Sequence, residues 1–236
     1  DMHRMNRVSL DRDRLTATVE AGATQGRIYD RLAPVGFGFP GGSCPDVGIA
    51  GVVLGGGYGL FSRAWGLAAD NLLAADIVDA GGIVKTVDQA RAPDLFWACR
   101  GGGGGTFGLV TRLELKLHPL PGLRTIAVDW RLQPSRATAV LRAFQEWVAQ
   151  SPDDITAIMR IERSRGEIAL KLRGHTLGTE TVARRQLAML TRSAAPERHP
   201  AIRAATFPGF TAPGTPVKMK GKSDFISAPL SDAAFE

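Results

Sequence analysis

The chain has 236 residues, 44% of them hydrophobic and 22% charged, and a formal net charge of +6. These proportions exclude a disordered chain, a collagen and a disulfide-stapled miniprotein, and no apolar run reaches the roughly 20 residues that a membrane-spanning helix needs. Glycine is the outlier: 21 of the 28 glycines fall within residues 1–120. That half carries 12 basic and 12 acidic residues, whereas 121–236 carries 17 and 11, so the positive excess belongs to the second half. No dense Lys/Arg run accompanies it, which fits a mildly basic solvated surface better than a nucleic-acid face. The N-terminal Asp1-Met2-His3-Arg4 is charged and lacks the apolar run of a secretory signal. Cys44 and Cys99 are too few for a disulfide framework, and the compartment stays open between cytoplasm and secretion.

Val8–Leu10, Asp11–Arg14 and Leu15–Glu20 read as strand, turn, strand. Thr24 is placed to cap a helix over Gln25–Leu32, with Ile28 and Leu32 on one face, and Pro34 and Gly36 stop it. From Gly38 to Gly59 glycine recurs too often for a regular helix. Leu72–Asp79 and Ile83–Val87 pair around Ala80-Gly81-Gly82. Asp94–Arg100 is a short helix, Gly101 to Gly105 follow, and Leu109–Leu117 alternates as a strand. A composition break at His118–Gly122 predicts a boundary between 1–120 and 121–236. Beyond it come a strand over Thr125–Leu132 and an amphipathic helix over Arg136–Gln150, with Val140, Leu141, Phe144, Trp147 and Val148 at helical spacing. Ile155–Ile161 and Glu167–Leu172 make an antiparallel pair, and Thr179–Thr191 is a second helix. The fold class is α+β, with helices layered over an antiparallel sheet in the second half.

Two glycine-rich segments carry the functional signal: Pro40–Gly59 and Arg100–Thr111. Glycine clusters raise the entropy cost of folding, and backbone that closely approaches a ligand is one reason to keep them; tight turns in a β-rich domain are another. A Walker loop is excluded because no Lys follows either cluster, and Gly55-Gly56-Gly57-Tyr58-Gly59 is only a degenerate dinucleotide pattern. His3, His118, His175 and His199 lack metal-ligand spacing and read as surface or structural residues. There is no nucleophile elbow, and Asp153-Asp154 reads as turn chemistry.

The run Pro40–Gly59, then Gly66–Leu73, then Asp94–Thr111 resembles the berberine-bridge-enzyme-like FAD-linked oxidases of the vanillyl-alcohol-oxidase superfamily. Asp1–Met5 and Val19–Ala23 are similar to the family's preceding strands, and Lys220–Phe225 to a Lys-Ser-Asp strand of its substrate domain. The resemblance implies a PCMH-type FAD-binding domain over 1–120 that lacks its N-terminal portion, followed by part of a substrate-binding domain with an antiparallel sheet over 121–236. It implies FAD as cofactor, held by Gly41, Gly42, Ser43, Cys44, Pro45, Val47, Gly48, Gly51, Val52, Tyr58, Gly59, Gly108 and Val110. Cys44 matches the family's cysteine that bonds to the flavin ring through sulfur, whereas Cys99, on an apolar helix, reads as core. Tyr58 and Trp65 fit either the lining of a flavin pocket or aromatic packing.

The implied activity is hydride transfer from a small organic substrate, a secondary metabolite or a carbohydrate, to the flavin, with reoxidation by oxygen. The alternative of another class is a noncatalytic flavin-fold protein that binds or sequesters a small molecule. Neither reading needs a nucleic acid, a membrane or a metal. Three departures stand against the family pattern. The Arg-Ser-Gly-Gly-His-Ser loop, which carries a second, histidine-borne link, is expected ahead of Asp1. Val52 stands where relatives commonly carry a histidine that stabilises reduced flavin. The segment that supplies the catalytic base and a tyrosine is expected after Glu236, so no catalytic residue is assigned.

Overall fold

Alternating apolar and polar side chains build the first sheet. The computed structural model describes residues 1–120, 122–164, 166–192 and 195–205, with Ala228, Leu230 and Ser231, and these contain two compact units, 1–120 and 122–205. In the first unit β1 (Val8–Asp11) turns back into β2 (Thr16–Glu20), whose Ala17 and Val19 are fully buried. Leu15 belongs to the turn and not to the strand expected from the sequence: its φ of +52° is left-handed, which a ladder residue cannot adopt. There follow α1 (Gln25–Leu32), β3 (Phe37–Gly38), α2 (Ile49–Leu54), α3 (Ser62–Trp65), β4 (Leu72–Val78), β5 (Val84–Asp88), α4 (Pro93–Cys99), β6 (Leu109–Lys116) and β7 (His118–Pro119).

The main sheet is antiparallel throughout, in the order β1-β2-β6-β4-β5, and β3 pairs with β7 beside it. A register shift opposite Thr111 changes the phase of β6, so that Val110, Leu113 and Leu115 are all buried. On the other face Arg112 grips Asp76 with two guanidinium nitrogens, Nε at 2.5 Å and Nη2 at 3.0 Å, and Thr86 Oγ1 donates to the same carboxylate at 2.8 Å. Arg112 thereby holds the Asp76 carboxyl below its ordinary range and ties β4, β5 and β6 together.

α2 overturns the expectation of no helix between Gly38 and Gly59. Its glycines fall mostly at the edges: Gly48 caps it and Gly55 ends it, while Ile49, Val53 and Leu54 are buried on one side. Burial of that apolar face outweighs the propensity cost of the one internal glycine, Gly51.

The second unit comprises β8 (Leu123–Leu132), α5 (Pro134–Gln150), β9 (Ile155–Ser164), β10 (Glu167–Thr176), α6 (Glu180–Leu190) and β11 (Ala201–Ala205). The antiparallel order is β11-β8-β10-β9, with both helices on one face. The expected strand, helix, strand, strand, helix order is present, and β11 adds a strand that pairs with β8. Trp130 and Leu172 from the sheet meet Val140 and Leu187 from the helices in one cluster, and Trp147 Nε1 donates to the Gln186 carbonyl at 2.9 Å, joining α5 to α6. The basic residues of this half are partly paired on the surface, Arg173 with Asp129 at 2.6 Å and Lys171 with Glu162 at 2.7 Å. Among the described residues no helix is long and apolar enough to cross a membrane.

Trp130 is 1% exposed whereas Trp97 is 78% exposed. Trp130→Ala is expected to cost about 3–5 kcal/mol in denaturant unfolding of the second unit, and Trp97→Ala less than about 0.5 kcal/mol in the first.

Candidate functional site

The first glycine-rich segment is held by α1. Thr24 caps this helix, its Oγ1 accepting from the Arg27 amide at 3.4 Å, and Gln25, Ile28, Tyr29 and Leu32 form its buried side. Two of those four are polar, and their polar atoms meet the loop. Gln25 Nε2 donates to the Cys44 carbonyl at 3.1 Å, and the Gly42 amide donates to Gln25 Oε1. The Tyr29 hydroxyl lies 2.7 Å from the Gly42 carbonyl and 3.0 Å from Gln25 Oε1, and its single proton serves the nearer oxygen. The helix backbone adds two bonds: the Gln25 amide donates to the Val47 carbonyl at 2.9 Å and the Gly26 amide to the Pro45 carbonyl at 2.8 Å. Thus the carbonyls of Gly42, Cys44, Pro45 and Val47 are all committed to α1.

Six amides of the same stretch are not committed, whereas those of Gly42, Val47 and Ile49 are. Those of Ser43, Cys44, Asp46, Gly48, Ala50 and Gly51 make no hydrogen bond among the described residues. Ser43, Cys44, Val47, Gly48 and Gly51 are exposed, Pro45 and Val52 half-buried, and a Cβ added at Gly48 or Gly51 would meet nothing within 4 Å. The segment therefore presents a row of backbone donors and one thiol on an open surface. Gly41 and Gly59 work the other way: both are buried, and a Cβ on Gly59 would fall on the Gly41 carbonyl, so the two ends of the segment touch through backbone alone. Tyr58, just before that contact, is 67% exposed.

The second segment meets the first where the Gly103 amide donates to the Leu54 carbonyl at 2.8 Å. Gly108 has φ +139°, and a Cβ there would lie 2.6 Å from the Val78 carbonyl, so no other residue fits between the segment and β4. Val110, two residues on, is only 5% exposed and pairs with Ile77, so its side chain belongs to the core. A cavity of about 490 Å³ opens beside Gly108, lined by Val78, Asp79, Ala80, Thr106, Phe107 and Leu109.

Trp65 packs as an aromatic: its ring stacks on Phe61 at 4.9 Å and on His118 at 4.7 Å. Asn71, buried below this stack, donates from Nδ2 to the Trp65 and Leu67 carbonyls at 2.9 and 2.8 Å, which turns its Oδ1 toward His118 Nε2 at 2.7 Å. His118 is thereby fixed as the Nε2–H tautomer, and burial, with Lys116 nearby, pushes its pKa down to about 4. This is the structural role expected for it. Cys99 is buried, which raises its thiol pKa, and Cys44 is exposed. Among the described residues no group of His, Cys, Asp and Glu could hold a metal ion.

Gln25, Tyr29 and Asn71 escaped the reading of the sequence. Gln25 carried a usable signal, since it lies three residues before Ile28 on the face assigned to the core, where a polar side chain needs a partner. The Lys220–Phe225 motif lies outside the described residues.

Comparison with known proteins shows what the chain is similar to. Residues 1–88 match the FAD binding domain family. The FAD-linked oxidoreductase YgaK of Bacillus subtilis is 34% identical over 246 residues, covering 99% of this chain and 53% of the relative. The berberine bridge enzyme of Eschscholzia californica superposes with a TM-score of 0.77 at 33% identity, over 86% of this chain and 41% of that one. Chitooligosaccharide oxidase superposes with a TM-score of 0.78 at 28% identity, over 91% of this chain and 46% of that one. The chain thus spans about half the length of the proteins it matches, or less.

His118 and the buried His175 both titrate near 4 in the fold against an ordinary 6.5, chiefly because burial disfavours the charged ring. An unfolded chain takes up these protons first, so stability is complete above pH 6.5 and is lost as pH falls from 6.5 towards 4. Melting temperature followed across that window is expected to fall, and His118→Gln, which keeps an N–H donor for Asn71, is expected to shallow the slope.

Proposed function

The chain belongs to the berberine-bridge-enzyme-like FAD-linked oxidoreductases, and from that premise we propose that the full-length protein is an FAD-dependent oxidase of a small organic molecule. The observation that carries the proposal is the clamped loop 42–51, which turns four of its carbonyls into α1 and leaves six of its amides and the Cys44 thiol open. A flavin dinucleotide is a ligand of acceptors: two anionic phosphates and a ring edge bearing carbonyls. Uncommitted amide donors on a glycine-lined surface fit it, because the backbone can approach closely and each donor gains a partner.

In this reading Gly41, Gly42, Ser43, Cys44, Pro45, Val47, Gly48, Gly51, Val52, Tyr58 and Gly59 form the cofactor-binding segment, and Gly108 anchors the second one. Val110 contributes through the core beneath the second segment and not by its side chain directly. The chemistry that FAD would supply when bound is two-electron oxidation of a substrate C–H bond, with oxygen as the final acceptor. The chain's own part is to bind and orient the cofactor. Cys44 would hold it through sulfur; forming that bond would remove the thiol hydrogen and one ring hydrogen with two electrons, for which dioxygen would be the acceptor, giving hydrogen peroxide. The unit 122–205 is the start of the substrate-binding domain. A secondary metabolite or a carbohydrate is the substrate class that agrees with likeness to berberine bridge enzyme and chitooligosaccharide oxidase.

The test is the visible spectrum of the purified full-length protein before and after acid precipitation. Yellow colour is expected, with the flavin retained in the washed pellet, and Cys44→Ala should release it to the supernatant while leaving most of the noncovalent binding. Flavin lost from the wild-type pellet would remove the sulfur link and keep FAD. A folded, colourless protein would favour a noncatalytic binding role.

A further inference from the structure

We infer that Gln25 and Tyr29 are positioning residues for the attachment of flavin to Cys44, acting by fixing the backbone on which that thiol is presented. The inference rests on the reading of Cys44 as the linking residue. Both side chains are 1% exposed. Leucine and phenylalanine would fill the same volume without burying an amide and a phenol, whose removal from water is unfavourable unless each polar atom is bonded. These two meet that demand on one short stretch of chain. Gln25 uses Nε2 on the Cys44 carbonyl and Oε1 on the Gly42 amide, and the Tyr29 hydroxyl reaches the Gly42 carbonyl at 2.7 Å. The peptide group before Ser43 and the one after Cys44 are thereby held.

That stretch needs holding. Gly41 and Gly42 precede it, and neither restricts its own φ and ψ as a side chain would. Contact between Gly41 and Gly59 fixes one end, and the bonds from the Gln25 and Gly26 amides fix the Val47 end. Between them the two side chains from α1, with the Val47 amide on the Cys44 carbonyl at 3.5 Å, hold the backbone on which Cys44 sits. Burial, with the Cys44 thiol nearby, raises the Tyr29 hydroxyl pKa, so it remains a neutral donor. A bond-forming thiol gains rate from being held in one orientation, and a residue that supplies the hold changes that rate without touching the reacting atoms.

The test uses the full-length protein produced free of flavin, as wild type, Tyr29→Phe and Gln25→Leu, reconstituted with FAD. Total bound flavin, melting temperature and the rate at which flavin becomes acid-stable are measured together. Wild-type flavin content with attachment slowed about tenfold in each variant is the expected result. Attachment at the wild-type rate in both variants would overturn the inference. Tyr29→Phe removes a single oxygen, so it decides the matter if Gln25→Leu fails to fold. Alkylation of Cys44 by iodoacetamide in the flavin-free proteins is the second measurement: a released loop should change its rate severalfold, and equal rates would contradict the clamp. Absence of acid-stable flavin in the wild type would instead remove the linkage reading and the positioning role with it, whatever the alkylation rates.

Discussion

A buried carboxamide sets the direction of the backbone from Gly42 to Cys44. Gln25 offers a donor and an acceptor from one rigid plane, and the loop answers with the Cys44 carbonyl and the Gly42 amide. Inside the protein such bonds are hard to exchange for water, because either partner left alone would be buried unsatisfied. The neighbouring bonds from the helix backbone commit two further carbonyls to the same side. What remains for a ligand is a surface of donors, and the chemistry proposed for this chain depends on that asymmetry.

Glycine-rich segments lose much conformational entropy on folding, so they need rigid neighbours. Here each is pinned at several points. The first is closed on itself through Gly41 and Gly59, buried along α2 and held by α1. The second is tied to the first through Gly103 and Leu54, and enters β6 through the tight approach of Gly108 to Val78. Behind them stand the five-stranded sheet with its Asp76–Arg112 pair and the Phe61–Trp65–His118 stack on Asn71. The open donor surface rests on a scaffold with little freedom of its own.

Much of the fold was legible from local pattern. Thr24 before a helical repeat, the Ala80-Gly81-Gly82 turn and the apolar stripe of α5 are short-range signals, and each produced its element. Long-range packing explains what was missed. α2 forms because Ile49, Val53 and Leu54 find a core, which outweighs the glycines around them. The shift opposite Thr111 depends on the pairing of β6 with β4. The bonds that define the site join residues 17 and 19 positions apart, and nothing local to Gln25 names its partners. The role of Cys44 was legible only through family resemblance, since an exposed thiol beside glycines carries no chemistry by itself.

The amides of Ser43, Cys44, Asp46, Gly48, Ala50 and Gly51 are the donors left free for FAD in the proposed site. Hydrogen–deuterium exchange of the full-length protein, flavin-loaded against flavin-free, reads those amides directly. Exchange is predicted to slow at Ser43, Cys44, Asp46, Gly48 and Gly51 when flavin is present, with little change at Gly42, whose amide is already bonded to Gln25. Unchanged exchange across 43–51, with protection appearing only elsewhere, would contradict that assignment.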